Sequence, residues 1–227
     1  PSPTRAPNDQ RRNRADAPTR DDDLPAHSNL PSRWSLAHGK AIELGPRAIV
    51  MGILNVTPDS FSDGGRFDAS VDIAANHANR MIDEGADIVD VGGESTRPDA
   101  VPVEAEEEQR RVLPVVRRLA GEGRILSVDT YRTQTARLAL EAGAHAVNDV
   151  WGAQREPDIA RVAAEHGAGL CLMHTGRERE KLADVIEDQS AFLSRSIEIA
   201  LRAGAGPETI VLDPGFGFAK DTGENLN

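Results

Sequence analysis

The sequence predicts an α/β protein of the (β/α)8, or TIM, barrel class, and three observations lead to that prediction. Apolar runs of strand length alternate with longer stretches of helical periodicity from residue 48 onward. Such alternation is typical of a parallel sheet joined by right-handed crossovers. A polar residue follows each of six consecutive predicted strands, and only in a barrel do all strand ends converge on one mouth. These residues are Asn55, Glu94, Asp129, Asn148, His174 and Asp213.

Composition limits both the core and the partners. Of the 227 residues 39% are hydrophobic and only 4% aromatic, so the core must be built from Ala, Val, Leu and Ile. The net charge of −11 argues against nucleic acid as a partner. We expect neither a signal peptide nor a membrane span, because no apolar run approaches the roughly 18 residues that a span needs. The single cysteine, Cys171, excludes a disulfide framework and favours a reducing, cytoplasmic compartment.

Two regions differ in their capacity to fold. Residues 1–33 predict a disordered tail, because they are rich in Pro, Asp, Arg and Asn and have almost no large apolar side chains. Residues 34–227 form the predicted barrel domain. Ser32–Pro46 is expected to be a short edge segment that leads into it, with an alternating apolar pattern. The apolar positions of that segment are Trp34, Leu36, Ile42 and Leu44.

Strands and helices are assigned in order along the barrel domain. Ser70 is expected to cap the first helix. Because a closed barrel of this class has eight strands, we expect the chain to lack the last two β/α units and to carry open edges on its first and sixth strands. The predicted strands are Ala48–Leu54, Ile88–Val91, Ile125–Val128, Ala146–Val147 with its flanks, Gly169–Met173 and Ile210–Leu212. The predicted helices are Ser70–Glu84, Glu104–Leu119, Arg132–Ala142, Ile159–His166 and Ala191–Ala203.

Three polar residues at strand ends predict a ligand site. Asp129 and Asp213 follow apolar residues that bury their backbones, and buried carboxylates need hydrogen-bond donors. Asn148 adds a donor and an acceptor at a neighbouring strand end. The N–H edge of a flat heterocycle, a pterin or a purine, satisfies this set, whereas a metal site would group carboxylates or histidines more tightly. Capping of the following helix remains an alternative role for Asp129.

Further loops carry groups that suit an anion or a charged leaving centre. The segment GGESTRP, residues 92–98, combines two glycines, two hydroxyls and Arg97, which suits a pyrophosphate group. Asp63 in the first loop is expected to approach a metal or a positive centre. His174 is a candidate anion partner, and Lys220 is expected to face the same mouth.

Six motifs together resemble a known family. In order they are ILNVTPDSFSDGG, GGESTRP, SVDT, VNDV, LMH and DPGFGFAK, and the resemblance to the dihydropteroate synthases of folate biosynthesis covers residues 47–227. It implies a transferase that joins 6-hydroxymethyl-7,8-dihydropterin diphosphate to 4-aminobenzoate, giving 7,8-dihydropteroate and pyrophosphate. These two small molecules are the implied partners, and the full-length parent is expected to be a homodimer.

The resemblance also implies roles for individual residues. Asn55 would bind Mg²⁺ on the diphosphate, and Lys220 would lie close to the pterin ring. Met173 and Phe218 would line the pocket. The implied catalytic residues are Asp129, Asp63 and Arg97. The implied substrate-binding residues are Phe61, Thr96, Asp129, Asn148, Met173, Asp213, Phe218 and Lys220.

Two other interpretations stay open. A pterin-binding methyltransferase domain shares the pocket of Asp129, Asn148 and Asp213, but such a domain has no diphosphate or aminobenzoate for the first loop and GGESTRP to handle. An inactive, truncated fragment would bind pterin weakly or fail to fold. The transfer that the resemblance implies requires no covalent nucleophile, which fits a sequence without a convincing Cys–His or Ser–His arrangement.

Overall fold

The structure of the protein is a computed structural model that describes residues 32–57, 67–95 and 102–226, with side chains from Ser70 onward in the second range. Of the predicted tail, residues 1–33, only Ser32 and Arg33 are described, so its disorder stays a prediction. None of the helices in these ranges is long and apolar enough to span a membrane.

The described residues form eight β-strands and six α-helices. The strands are β1 Arg33–Ser35, β2 Ala41–Glu43, β3 Met51–Asn55, β4 Ile88–Gly92, β5 Leu126–Asp129, β6 Ala146–Asp149, β7 Gly169–Met173 and β8 Ile210–Asp213. The helices are α1 Phe67–Asp83, α2 Ala105–Ala120, α3 Thr133–Glu141, α4 Asp158–Glu165, α5 Val185–Arg202 and α6 Thr222–Leu226.

The main sheet has the topology that the sequence predicts. Strands β3 to β8 lie side by side in chain order, and each is parallel to the next. Helices α1 to α5 also contact one another in chain order, which makes a single helical layer. A doubly wound sheet divides its helices between two faces, whereas a barrel keeps them all outside. The fold is therefore six β/α units of a (β/α)8 barrel, as predicted.

The two faces of the main sheet differ in chemistry. Alternate residues such as Leu54, Val91 and Val128 turn to the helical layer, where each is at most 1% exposed. They pack against small and branched side chains of the helices, among them Ala78 and Val116. The residues between them face the barrel interior, because successive side chains in a strand point to opposite sides. The apolar core thus lies outside the sheet, and the interior is left free for polar groups.

The segment 32–46 differs from its prediction. Strands β1 and β2 form a separate antiparallel hairpin rather than an edge of the main sheet. The buried side chains of Trp34, Leu36 and Ile42 pack against Ile88 and Ala146, which lie at or near the amino-terminal ends of their strands. The hairpin therefore seals the end of the barrel opposite the strand ends that carry the predicted site. Leu44, the last position of the predicted alternation, is 38% exposed.

Two helix starts also differ from their predictions. Ser70 lies inside α1, which begins at Phe67, so its assignment as the cap is wrong. Helix α5 begins at Val185, six residues before the predicted Ala191. Its cap is Asp184, whose carboxylate accepts hydrogen bonds from Ile186 N and Glu187 N at 2.8 and 2.9 Å. The acidic residues of the first turn interrupt the apolar pattern, although they suit the positive end of the helix dipole.

Candidate functional site

Residues of four neighbouring strands form a row across the carboxyl end of the sheet. Asn55 pairs with Gly92, Gly92 with Asp129, and Asp129 with Asn148. A Cβ atom placed on Gly92 would lie 3.5 Å from both Asn55 Oδ1 and Asp129 Oδ2. Because glycine has no side chain, position 92 leaves an open space that borders both Asn55 and Asp129.

The same row continues towards Asp213. Asn148 pairs with Cys171, and Cys171 pairs with Val211 on β8. Asp213 comes two residues after Val211, on the same face, and pairs with Met173. Burial raises the pKa of the Cys171 thiol, and the carboxylates that add to this effect include Asp213 and Asp129. The structure thus brings Asp129, Asn148 and Asp213 to one mouth.

Asp90 is a member of this group that the sequence analysis missed. It is 3% exposed, and its Oδ2 accepts a hydrogen bond of 2.9 Å from Asn148 Nδ2. Burial raises the pKa of Asp90, against the effect of the hydrogen bond from Asn148. Asp90 Oδ1 and Asn148 Oδ1 are buried and have no partner among the described residues. Because buried acceptors are nearly always paired, these two atoms call for donors from a ligand.

Asp129 is held in an environment that disfavours its negative charge. Burial raises its pKa well above the usual range, and the charges of Asp90, Asp149, Glu108 and Glu94 raise it further. A ligand that supplies N–H donors or positive charge offsets these penalties. The site is therefore arranged to accept a flat, donor-rich or cationic group next to Asp129.

Lys220 closes the turn that follows β8. Its Nζ donates to Pro214 O at 2.7 Å, to Gly215 O at 2.9 Å and to His174 Nδ1 at 2.8 Å. Gly215 N donates to Asp213 Oδ1 at 2.7 Å. Asp213 and Lys220 are therefore fixed on the same short turn. Burial lowers the pKa of Lys220, and the charge of Asp213 opposes that effect.

Gly215 permits this turn. Its φ is +69°, and a Cβ there would lie 2.0 Å from His174 O, so no other residue fits. Met173 is 3% exposed beside the turn. Phe218 is half-buried, and the guanidinium of Arg177 lies 4.6 Å from the centre of its ring. Met173 and Phe218 are thus near Asp213, where the resemblance implies a pocket lining.

The predicted role of His174 as an anion partner is wrong. Its side chain is fully buried, and both ring nitrogens are engaged by protein groups. Nδ1 faces Lys220, and Nε2 lies 2.8 Å from Asp188 Oδ2. An anion therefore has no access to the ring.

Arg132 contacts residues on both sides of segment 96–101. Its NH1 lies 2.7 Å from Glu94 Oε2 and 3.1 Å from Glu108 Oε2, and its NH2 donates to Val103 O at 2.6 Å. Burial raises the pKa of Glu108, although Thr135 donates to it at 2.7 Å. Arg132 thus ties the residues before segment 96–101 to those after it.

Four of the predicted site residues lie outside the described residues: Phe61, Asp63, Thr96 and Arg97. Their roles stay predictions. Of the first loop the structure describes residues 55–57, and of the GGESTRP segment it describes residues 92–95.

The side chain of Asn55 supplies the type of ligand atom, an oxygen, that the expected magnesium ion prefers. No group of three or more His, Cys, Asp or Glu side chains in the described ranges is arranged to hold a metal. Mg²⁺ usually keeps several waters and takes only one or two protein ligands together with substrate phosphates. The exposed amide oxygen of Asn55, beside the open space over Gly92, suits such a sparse protein contribution.

Comparison with known proteins assigns the family. Residues 51–227 match the family described as pterin binding enzyme. Dihydropteroate synthase from Bacillus subtilis (strain 168) is 50% identical over 187 residues, covering 82% of this chain and 65% of the relative. The enzyme from Clostridium beijerinckii is 47% identical over 188 residues, covering 82% of this chain and 69% of the relative. The chain thus spans about two thirds of the length of these curated relatives.

Solved structures agree with this assignment. Dihydropteroate synthase from Xanthomonas albilineans with 4-aminobenzoic acid has a TM-score of 0.78 and 42% identity, covering 87% of this chain and 71% of that one. The enzyme from Burkholderia cenocepacia complexed with 7,8-dihydropteroate has a TM-score of 0.73 and 40% identity, covering 85% of this chain and 66% of that one. From the family match and these similarities, the chain belongs to the pterin binding enzymes, and among them to the dihydropteroate synthases.

Proposed function

We propose that this chain carries the pterin half of a dihydropteroate synthase active site. The reaction joins the methyl carbon of a dihydropterin diphosphate to the amine of 4-aminobenzoate and releases pyrophosphate. The observation that supports it most is the gathering of Asp129, Asn148 and Asp213 at one mouth, where Asn148 Oδ1 and Asp90 Oδ1 are buried and have no donor among the described residues. The relatives named for this enzyme, one of them with 4-aminobenzoic acid and one with dihydropteroate, support the same choice of substrates.

The donor and acceptor pattern suits a pterin edge. The amino and ring N–H groups of a pterin are donors, and the carboxylates of Asp129 and Asp213 are acceptors. Asn148 Nδ2 is already engaged by Asp90, so its Oδ1 is the atom available to the ligand. Met173 and Phe218 would cover the ring with apolar surface.

The chemistry follows from the charges at the mouth. Cleavage of the C–O bond leaves positive charge on the pterin-methyl group, and an ionised Asp129 would stabilise that charge. Lys220, and Arg97 if it acts as the resemblance implies, would balance the departing pyrophosphate. Pre-positioning of the weakly nucleophilic arylamine supplies the remaining acceleration.

Magnesium belongs to the same proposal. Asn55 would hold the ion together with oxygens of the substrate diphosphate, and the ion would neutralise charge on the leaving group. Removal of the metal by a chelator should therefore weaken binding of the pterin diphosphate, while binding of a pterin without phosphates should stay unchanged. The homodimer and the cytoplasmic location complete the proposal, the latter supported by the single cysteine.

The test is a direct assay with a matched variant. The chain is incubated with dihydropterin diphosphate, 4-aminobenzoate and Mg²⁺, and dihydropteroate is measured by chromatography. We expect Asp129→Asn to lower the rate at least about a hundredfold, because the charge opposite the developing cation is lost. Arg161→Ala, at an exposed site on α4, is the control and should leave the rate unchanged.

Pterin binding is measured in parallel by calorimetry, so that binding and turnover are scored separately. A folded chain that binds methyltetrahydrofolate and yields no dihydropteroate would favour the methyltransferase interpretation. A chain without a cooperative unfolding transition and without pterin binding would contradict the proposal for this chain.

A further inference from the structure

A buried chain of polar groups runs from α5 to the mouth of the barrel. Asp188 lies in the first turn of α5 and is 3% exposed, and His174 follows β7 and is fully buried. Asp188 Oδ2 lies 2.8 Å from His174 Nε2, and His174 Nδ1 lies 2.8 Å from Lys220 Nζ. The chain of contacts therefore ends on the ammonium group that sits beside Asp213.

The partners of His174 fix its tautomer. A lysine ammonium has donors only, so Nδ1 must act as an acceptor towards Lys220. A neutral ring then carries its hydrogen on Nε2 and donates it to Asp188. Arg179 NH2 also lies 2.8 Å from Nε2, and because a guanidinium has donors only, it bonds to Asp188 Oδ2 rather than to the ring. Burial lowers the pKa of His174, although the hydrogen bond to Asp188 opposes this, and a lowered pKa favours the neutral ring.

Asp188 is itself held in place by other groups. Arg179 NH1 donates to its Oδ1 at 2.9 Å, and Arg179 NH2 is paired with its Oδ2. Leu182 N also donates to Oδ1, at 2.8 Å. The hydrogen bond with Arg179 holds the pKa of Asp188 well below its usual range, so the carboxylate stays ionised.

Among the described residues, several charged groups lie around these buried contacts. Lys220 and Arg179 face His174, and Asp188 neutralises part of their charge. Asp213, Lys181 and Glu224 lie near Lys220. The imidazole of His174 thus lies between the cations Lys220 and Arg179 and contacts one anion, Asp188. This balance favours the neutral ring over an imidazolium.

We propose that His174 and Asp188 are positioning residues for Lys220 in the pterin diphosphate site. The inference rests on the proposed function, because Lys220 is placed by the resemblance next to the pterin. Asp188 fixes the tautomer, the tautomer gives Lys220 its acceptor, and Lys220 closes the Pro214–Gly215 turn that holds the carboxylate of Asp213. The substrate then meets two charges that are already in place, which lowers the entropy cost of binding.

Two substitutions of the same residue separate the two bonds of His174. The amide oxygen of Asn reaches about where Nδ1 lies, so His174→Asn keeps an acceptor for Lys220 and loses the contact with Asp188. The longer Gln reaches the position of Nε2, so His174→Gln keeps the contact with Asp188 and loses the acceptor. His166→Gln is the control, because the His166 side chain bonds to Val162 O at the opposite end of the barrel.

The assay measures KM for the pterin diphosphate, kcat, and pterin affinity by calorimetry. We expect His174→Gln to weaken pterin diphosphate binding about tenfold, the value of one hydrogen bond to a charged group, and His174→Asn to weaken it much less. In the Lys220→Met background, His174→Gln should cause no further loss, because the bond it removes is already gone. A purely structural role predicts losses that multiply, and equal losses for the Asn and Gln variants; either result would overturn the inference.

A measurement on the unaltered chain keeps the inference testable if the variants do not fold. Nitrogen-15 NMR of histidine-labelled protein without substrate should show His174 with hydrogen on Nε2 and none on Nδ1. An Nδ1–H tautomer, or an imidazolium at neutral pH, would refute the positioning role whatever the activity. If the expected tautomer is present and the chain binds no pterin, the proposed function fails and the inference falls with it.

Discussion

At the scale of single residues, His145 links one protonation event to the stability of the sheet. Its Nδ1 accepts a hydrogen bond of 3.1 Å from Leu126 N on β5, and the residue is 5% exposed. Burial lowers the pKa of His145 to about 4, and the positive charges of His38 and Lys40 lower it as well. An imidazolium has no acceptor for Leu126 N, so the folded state requires the neutral ring.

The stability that His145 contributes should therefore depend on pH. It is fully present above the ordinary histidine pKa of 6.5 and is lost as the pH falls through about 4, since the unfolded chain binds the proton more readily. The full effect is about 3 kcal/mol. His145→Asn keeps an acceptor near the position of Nδ1 and does not titrate. Urea unfolding from pH 7.5 to 4 should show the stability of the native chain falling relative to this variant; a constant difference would contradict the prediction.

The residues of the site differ in how well the sequence predicts that they belong to it. Asp129, Asn148 and Asp213 stand where apolar runs end, and the structure brings them to one mouth as predicted. Asp90 was missed because it stands inside an apolar run rather than after it, although a charge at an inward position of a buried strand is itself a signal. The bond from His174 to Asp188 spans 14 positions and depends on the path of the chain between β7 and α5, which no local pattern encodes.

At the scale of elements, the stability of α5 depends on its N-cap residue, Asp184. Asp184 accepts hydrogen bonds from Ile186 N and Glu187 N. Asp184→Ala should lower the free energy of unfolding by about 1 kcal/mol, because two backbone N–H groups lose their acceptor. Asp184→Ser retains an acceptor and should lose much less. Thermal unfolding compares the two, and equal losses would show that the cap does not act through these bonds.

Most elements were predictable to within a residue or two. β7 has its predicted bounds, Gly169–Met173, because glycine and a short apolar run mark both ends. The start of α5 was missed because its first turn is acidic and breaks the apolar period. The hairpin of β1 and β2 was mistaken for an edge segment, since alternation reports a half-buried strand and not the sheet to which it belongs.

At the scale of the whole molecule, the two ends of the barrel have separate tasks. The hairpin fills the amino-terminal end with apolar side chains, and Trp34 Nε1 donates to Thr209 O at 2.8 Å. The carboxyl-terminal end carries the polar site. Changes at the first end should therefore affect stability and leave the affinity of the folded molecules for pterin unaltered.

Gly169→Ala tests this separation. A Cβ at Gly169 would lie 2.5 Å from Leu36 Cδ2 and 2.9 Å from the Trp34 ring, so the hairpin must shift. We expect a loss of about 1–3 kcal/mol in stability and a red shift of tryptophan fluorescence. Gly121→Ala is the control, because its new Cβ meets nothing closer than 3.5 Å and its φ is −61°. A changed pterin affinity in Gly169→Ala would contradict the separation of tasks.

The barrel topology could be inferred from the sequence. The packing of the hairpin of β1 and β2 against the amino-terminal end of the barrel could not. Six polar strand ends in a row distinguish a barrel from a doubly wound sheet, and the order β3 to β8 agrees. Nothing in the apolar pattern of residues 32–46 says that they pack under the barrel rather than beside it. That depends on Gly169, whose lack of a side chain becomes meaningful only once the hairpin is in view.

The bond between Asn148 and Asp90 has a consequence for inhibitor chemistry. An unrestrained asparagine can rotate its amide by half a turn and present either its oxygen or its nitrogen to a ligand. Here Asp90 anchors the nitrogen, so the oxygen alone is offered. A compound meant to occupy this site should present a hydrogen at that spot, and one that places a ring nitrogen lone pair or a carbonyl there would meet repulsion that the protein has no means to relax.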